Sequence, residues 1–310
     1  MLFDVSPKVY YTHFSENPHP YISSAFIELN KNKTDRVVRL LENETKVSIG
    51  LVAGIKDGVL LSPFSAPFGG FHFRKDNQYI SELESFAFHL IQYGKYFNLK
   101  RIEITLPPDI YHLSFNTKMF NVLLRNGFNI NIPEITNWLN LNDFTGVFSN
   151  RGARKYYKQA LYNNLSFRIL EDRNEKHIGF NIICENRARF GRPIYMTYED
   201  LDNTNSLWPV DFFGAFNTNN EMVAAGVFYR GHEKIIQGIF WGDSEEGRPL
   251  RAIDFLALNI WNHYKNLGFA YIDLGISTKN GIPNEGLIRF KESHDCDSAL
   301  RFTLSFDFEK

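Results

Sequence analysis

Apolar residues recur at helical spacing in two long segments of the chain. Residues 79–99 and 249–269 place apolar side chains three and four positions apart, which predicts two amphipathic helices. A pair of apolar runs joined by a glycine-containing turn precedes each segment, at residues 47–70 and 221–247. Such a pattern predicts a β-hairpin in front of each helix.

The two halves of the chain carry the same predicted elements in the same order. A short apolar strand follows each helix, at residues 101–107 and 270–276. Matching positions recur at an offset of about 170 residues, the range of spacing expected when a whole domain is duplicated; they pair Ala53 with Ala225, Tyr96 with Tyr264, and Glu103 with Asp273. We therefore predict an α+β fold of two tandem units, residues 1–147 and 148–310, each a mostly antiparallel twisted sheet flanked by helices.

Composition narrows the class of protein. Hydrophobic residues make up 44% of the 310-residue chain, which is enough for a packed core and excludes global disorder. The net charge of −1 disfavours bulk binding of duplex DNA. The two cysteines form no CxxC pair, so we expect no metal site. We see no signal peptide and no apolar run of roughly 20 residues, so we expect a cytoplasmic protein that is not an integral membrane protein.

Four segments carry a resemblance to a known family. They are RGARKYYKQALYNNLSFRI, RARFGRPIYMTYEDL, AYIDLG and GLIRFKES, at residues 151–169, 187–201, 270–275 and 286–293. Their order resembles the GNAT N-acyltransferase fold, and two such units in one chain resemble the Fem-like transferases and their bacterial relatives. The resemblance implies transfer of an acyl or aminoacyl group to a primary amine, with acyl-CoA or aminoacyl-tRNA as donor. It also implies a small-molecule or peptidoglycan-precursor acceptor and tRNA as a partner.

The resemblance places a donor-binding loop at residues 244–249, and this loop departs from the family pattern. Acetyl-CoA enzymes of this fold carry a cation followed by glycines there, whereas this loop has a central Gly247 preceded by two glutamates. We expect Pro249 in the first turn of the next helix, because proline favours that position. Gly247, Arg248 and Arg251 are then candidates for an anion site at the helix start. Salt bridges to the two glutamates are the alternative, and CoA binding is in doubt.

Lys291 and Asp273 are the candidate catalytic residues. On the resemblance, Lys291 follows the strand that ends near Asp273, where its ammonium would stabilise the oxyanion of acyl transfer. Asp273 would orient or deprotonate the amine. The alternatives are a lysine that reaches solvent from an apolar helix face and an aspartate that caps a loop. His294, one turn after Lys291, is a weaker candidate for proton transfer.

An arginine cluster is the candidate substrate-binding site. Arg187, Arg189 and Arg192 suit a carboxylate or phosphate, and we expect them to form a loop clamp because the first two are only two positions apart. Tyr195 is a candidate to line the same cleft. The competing hypothesis from another class is a non-catalytic binding module that keeps the fold and has lost the donor loop.

Overall fold

The computed structural model of the chain describes residues 1–14, 17–42, 47–75 and 77–308. The α-helices of this part are α1 Pro7–Thr12, α2 Ser24–Asn30, α3 Ile80–Tyr96, α4 Asp109–Arg125, α5 Arg151–Tyr162, α6 Arg173–Arg189, α7 Tyr198–Asn205, α8 Ala252–Asn266 and α9 Glu285–Ser293. The strands are β1 Phe3–Asp4, β2 Arg36–Leu41, β3 Ile49–Lys56, β4 Val59–Ser62, β5 Phe71–Phe73, β6 Arg101–Thr105, β7 Asn129–Ile130, β8 Glu134–Asn140, β9 Ser166–Ile169, β10 Val210–Phe216, β11 Met222–Tyr229, β12 Ile235–Asp243, β13 Tyr271–Ile276, β14 Thr278–Lys279, β15 Ile282–Pro283, β16 Asp297–Arg301 and β17 Thr303–Asp307.

The chain forms two compact units, and neither is contiguous in sequence. Unit 1 comprises residues 1–135, 278–282 and 299–310, and unit 2 comprises residues 136–277 and 283–298. This division differs from the predicted one, which had a single boundary between residues 147 and 148. The physical reason is strand pairing: β17, the last strand of the chain, lies between β6 and β7 in the sheet of unit 1.

Unit 1 is built on a sheet in the order β1-β2-β3-β4-β6-β17-β7, with β5 also paired to β3. Only β4 and β6 run parallel among the pairs whose direction the structure defines, and α3 connects them. The apolar faces of α3 and α4 cover one side of the sheet, with Leu83, Phe86 and Leu90 fully buried. Residues of α1 and α2, including Tyr10 and Ile27, pack in a separate cluster.

Unit 2 repeats this plan around a sheet in the order β16-β8-β13-β12-β11-β10-β9. Strands β12 and β13 run parallel and are connected by α8. Helices α5 and α8 pack in one hydrophobic cluster on this sheet, and α6 and α7 pack in another. Asn150 caps α5, and a Thr197–Asp200 capping box starts α7, as its sequence pattern suggests.

The fold prediction is confirmed. Both units have a mostly antiparallel sheet with helices packed on it, and the predicted amphipathic segments form α3 and α8. The predicted start of α8 is wrong, because the helix begins at Ala252 and Pro249 lies in the turn before it. Arg251 is the residue before the helix and adopts a left-handed conformation with φ of 62°.

Candidate functional site

The sheet of unit 2 opens where β12 and β13 separate. Their parallel pairing ends with Gln237 opposite Asp273. Beyond this point β12 continues along β11 with a bulge at Ile239, because Phe228 opposes Gly238 while Val227 opposes Phe240. Strand β13 continues along β8 with an irregular register. Bulges and diverging strand ends are common places for binding and catalytic groups in sheets.

Lys291 lies at this opening and is almost completely buried, with 1% of its surface exposed. It is the one buried residue of α9, so it does not reach solvent from an apolar face. Its Nζ donates to three consecutive backbone oxygens, Leu274 O at 2.8 Å, Gly275 O at 2.9 Å and Ile276 O at 3.4 Å. Burial lowers the pKa of Lys291 to about 8, against the raising effect of Cys296 and Asp273.

Asp273 is also fully buried, at the last position of β13 that pairs with β12. Its Oδ1 accepts a hydrogen bond from the backbone N–H of Gly275 at 2.9 Å, and the amide of Gln237 lies 3.5 Å from Oδ2. The carboxylate therefore caps the turn at Gly275, where φ is 66°. It is at the same time the charged neighbour that raises the pKa of Lys291.

Arg187 approaches the same opening from α6. Its charge contributes to lowering the pKa of Lys291, and burial followed by the charge of Arg192 lowers its own pKa. Its Nε is buried without a hydrogen-bond partner, and within the described ranges its guanidinium makes no ion pair. A half-buried arginine in this state has spare capacity to bind an anion.

Of the other predicted substrate residues, Arg189 has different partners and Tyr195 is exposed, whereas Arg192 is close enough to act on the pKa of Arg187. Arg189 donates to the backbone oxygen of Asp243 at 3.0 Å and lies 3.8 Å from Glu245. Arg187 and Arg189 belong to the last turn of α6, so the predicted loop clamp is wrong for these two; Arg192 follows the helix. Tyr195 is 91% exposed.

Four backbone N–H groups between Gly247 and Ala252 donate to acceptors within the loop before α8. The N–H of Gly247 donates to Ser244 Oγ at 3.0 Å, and that of Arg248 to Ser244 O at 3.3 Å. The N–H groups of Arg251 and Ala252 donate to Arg248 O and Gly247 O. A Cβ on Gly247 would lie 2.1 Å from the backbone oxygen of Val223, so this glycine serves close packing on β11. These four N–H groups are therefore not free to contribute to a pyrophosphate cradle.

Arg248 and Arg251 have local partners as well. Arg248 lies 3.7 Å from the buried Asp243, and Arg251 lies over the ring of Tyr156 with 3.8 Å between guanidinium carbon and ring centroid. Burial raises the pKa of Asp243, while Arg248 and Arg189 lower it. The alternative of local salt bridges is thus seen for Arg248, with Asp243 in place of the neighbouring glutamates.

Two contacts at the site have no strong signal in the sequence. His294 Nε2 lies 3.1 Å from Asp254 Oδ1, and both side chains are buried. This pair connects α8 to the end of α9, one turn beyond Lys291. The second contact is that of Gln237 with Asp273. Only the parallel pairing of β12 with β13 brings these two residues together, and this pairing is a property of the tertiary structure.

The described residues contain no cluster of three or more histidine, cysteine, aspartate or glutamate side chains arranged to hold a metal ion. No helix in the described part of the chain is both long and apolar enough to cross a membrane.

Comparisons with known proteins show what this architecture is similar to. No family model and no curated protein matches the sequence. Among solved structures, FemX matches with a TM-score of 0.70 at 10% identity, covering 99% of this chain and 97% of its own. L-PGS from Bacillus licheniformis matches with a TM-score of 0.61 at 12% identity, covering 99% and 94%. A tandem GNAT protein from the clavulanic acid pathway reaches 0.50 at 10% identity, covering 88% and 83%. The chain therefore has a Fem-like tandem GNAT fold.

Proposed function

We propose that the protein is a cytoplasmic enzyme whose unit 2 transfers an acyl or aminoacyl group to a primary amine. The observation that carries this proposal is a buried ammonium beside a buried carboxylate where β12 and β13 separate. Lys291 and Asp273 supply these two groups. The Fem-like tandem GNAT fold also supports the reaction class, because the sequence resemblance to this fold implies transfer of an acyl group to an amine.

The two charges suit the two requirements of this reaction. The amine nitrogen attacks the donor carbonyl, a C–N bond forms, and negative charge collects on the carbonyl oxygen. A nearby fixed cation lowers the energy of that state by several kcal/mol, in the range of about 3–4 for a single oxyanion contact. The amine must also lose a proton, and in this proposal Asp273 orients the amine or accepts that proton. The tetrahedral state then collapses: the C–O bond of an ester donor, or the C–S bond of a thioester donor, breaks, and the departing oxygen or sulfur takes up the proton.

We favour an aminoacyl ester such as aminoacyl-tRNA as donor over acyl-CoA. In the loop before α8, the N–H groups of Gly247, Arg248 and Arg251 are already bonded within the loop. Glu245 and Glu246 are exposed there and would repel a pyrophosphate. An ester donor does not require that cradle. The guanidinium of Arg187, which makes no ion pair with any residue that the structure describes, would bind a phosphate or carboxylate near the reacting carbonyl.

The acceptor in this proposal is a small-molecule or peptidoglycan-precursor amine. If the acceptor also carries an anionic group, its amine would contact Asp273 and its anionic group would bind the guanidinium of Arg187. The envelope setting rests on the Fem-like fold alone, and purification followed by mass spectrometry of retained ligands is the direct way to identify the amine.

Donor binding is tested by thermal shift, because a ligand that binds the native state raises the melting temperature. We expect aminoacyl-tRNA to raise it more than deacylated tRNA does, and acetyl-CoA or longer acyl-CoAs to leave it unchanged. Arg187→Met should remove the shift, and Arg173→Met is the matched control, because Arg173 lies on the same helix and pairs with Asp202 at the surface. A shift with acyl-CoA alone would overturn the choice of donor.

One observation favours a non-catalytic binding module instead. All three N–H groups of the Lys291 ammonium are directed at backbone oxygens, so direct donation to an oxyanion requires one of these bonds to break. The bond to Ile276 O is the longest, at 3.4 Å, and is the one that a substrate oxygen would replace. A binding module would show a shift with a ligand and no transfer to any amine.

A further inference from the structure

Three consecutive backbone oxygens converge on one point at the end of β13. Successive carbonyls of a regular strand alternate in direction, yet those of Leu274, Gly275 and Ile276 all face the Nζ of Lys291. The left-handed conformation of Gly275, with φ of 66°, permits this arrangement. Asp273 holds it by accepting the N–H of Gly275.

Converging carbonyl oxygens are the ligands that proteins use for hard monovalent cations. A protonated amine with three N–H donors matches three acceptors, whereas a neutral amine would direct its lone pair at one of the oxygens. The negative charge of Asp273 is close enough to affect the ammonium, which favours a cation at this point. Cys296 and the guanidinium of Arg187 are the other titratable groups that act on it.

We propose that the oxygens of residues 274–276 form a cation site that Lys291 fills with its own ammonium. The ammonium of Lys291 then also fixes the end of β13, in addition to its proposed contact with the oxyanion, and it stays charged because it transfers no proton. The inference does not depend on the proposed transfer reaction, because cation binding can be measured without turnover.

The test is rescue of Lys291→Ala by external cations. The substitution removes the methylenes and the ammonium beyond Cβ, and propylammonium restores this shape and charge. We expect propylammonium, and more weakly ammonium and potassium, to raise the melting temperature of the variant in a saturable way. Propanol has nearly the shape of propylammonium without its charge, and tetramethylammonium has the charge without N–H donors; neither should act.

Two further proteins complete the design. Wild type and Lys291→Met, whose side chain blocks the cavity, should show no specific response to propylammonium. In crystals of the alanine variant grown with rubidium, the anomalous signal should lie between Leu274 O, Gly275 O and Ile276 O.

The outcomes separate clearly. Equal responses to propylammonium and propanol, or rubidium absent from the three oxygens, would overturn the cation site. The alanine variant could fail to fold in the absence of a rescuing cation, as it would in tetramethylammonium. In that case the measured quantity is its refolding yield in each of the same additives. Recovery in propylammonium but not in propanol would support the site, and no recovery in any cation would overturn it.

Discussion

Replacing Lys291 with methionine should change how the stability of unit 2 depends on pH. The side chain is 1% exposed, and its pKa falls from 10.5 to about 8 on burial. At about 1.36 kcal/mol for each pKa unit, keeping this amine charged in the folded state costs about 3 kcal/mol at neutral pH. Methionine has a similar length and no charge, so the variant does not carry this cost.

The sign follows from proton binding. Between pH 8 and 10.5 the unfolded chain holds the Lys291 proton more tightly than the folded chain does. The free energy of unfolding of the wild type should therefore increase with pH across this window, relative to that of Lys291→Met. From pH 7 to pH 10 we expect the difference, wild type minus variant, to rise by about 2–3 kcal/mol.

The assay is urea unfolding at a series of pH values, followed by tryptophan fluorescence. All four tryptophans of the chain, at positions 138, 208, 241 and 261, lie in unit 2, so the signal reports this unit. Lys265→Met is the matched control for the loss of one lysine, because Lys265 also donates to a backbone oxygen, that of Leu141 at 2.8 Å. A difference that stays constant or falls with rising pH would refute a buried, charged Lys291.

Three more predictions test the packing around the site and the division into units. Gly247→Ala should destabilise unit 2 by about 1–3 kcal/mol in urea unfolding, as overpacking does, because the added Cβ would lie 2.1 Å from Val223 O. The control is Gly286→Ala, in a helix with space around the glycine, which should be neutral or slightly stabilising. Equal effects of the two substitutions on the unfolding free energy would contradict the packing argument. Arg187→Met should leave the unfolding free energy unchanged or raise it, because the guanidinium is partly desolvated and has no ion pair within the described part of the chain. A loss above about 2 kcal/mol would show that it has a structural partner. Deleting residues 302–310 should increase amide exchange in β6, which pairs with β17, and unchanged protection of β6 would contradict the assignment of the last strand to unit 1.

Local patterns predicted most of the elements because hydrophobic periodicity depends on near neighbours. The helices around Leu83 and Leu256 and the duplicated order were confirmed for this reason. The partner of a strand is a long-range property, so the chain did not reveal that β17 completes the first sheet. The two repeats predicted as contiguous segments thus correspond to two units that are each made of more than one segment of the chain.

The candidate site was predictable in part. The Phe-Lys pattern identified Lys291, and the strand end identified Asp273, since both features are local. The convergence of three oxygens on Lys291 depends on the conformation of Gly275 and on the bulged register of β13, and neither is encoded by a short pattern. The anion loop was predicted from Pro249 and Gly247, but close packing on β11 decided its conformation.

The central claim is acyl or aminoacyl transfer at the opening between β12 and β13, and a transfer assay tests it most directly. Purified protein is incubated with labelled aminoacyl-tRNA or labelled acetyl-CoA and a panel of amino acids, short peptides and amino sugars, and labelled amides are detected by mass spectrometry. We expect amide formation from aminoacyl-tRNA, reduced about 100-fold or more by Asp273→Asn and by Lys291→Met, and retained in Lys265→Met. Amide formation that survives both site substitutions, or that is absent with every donor and amine, would contradict the account.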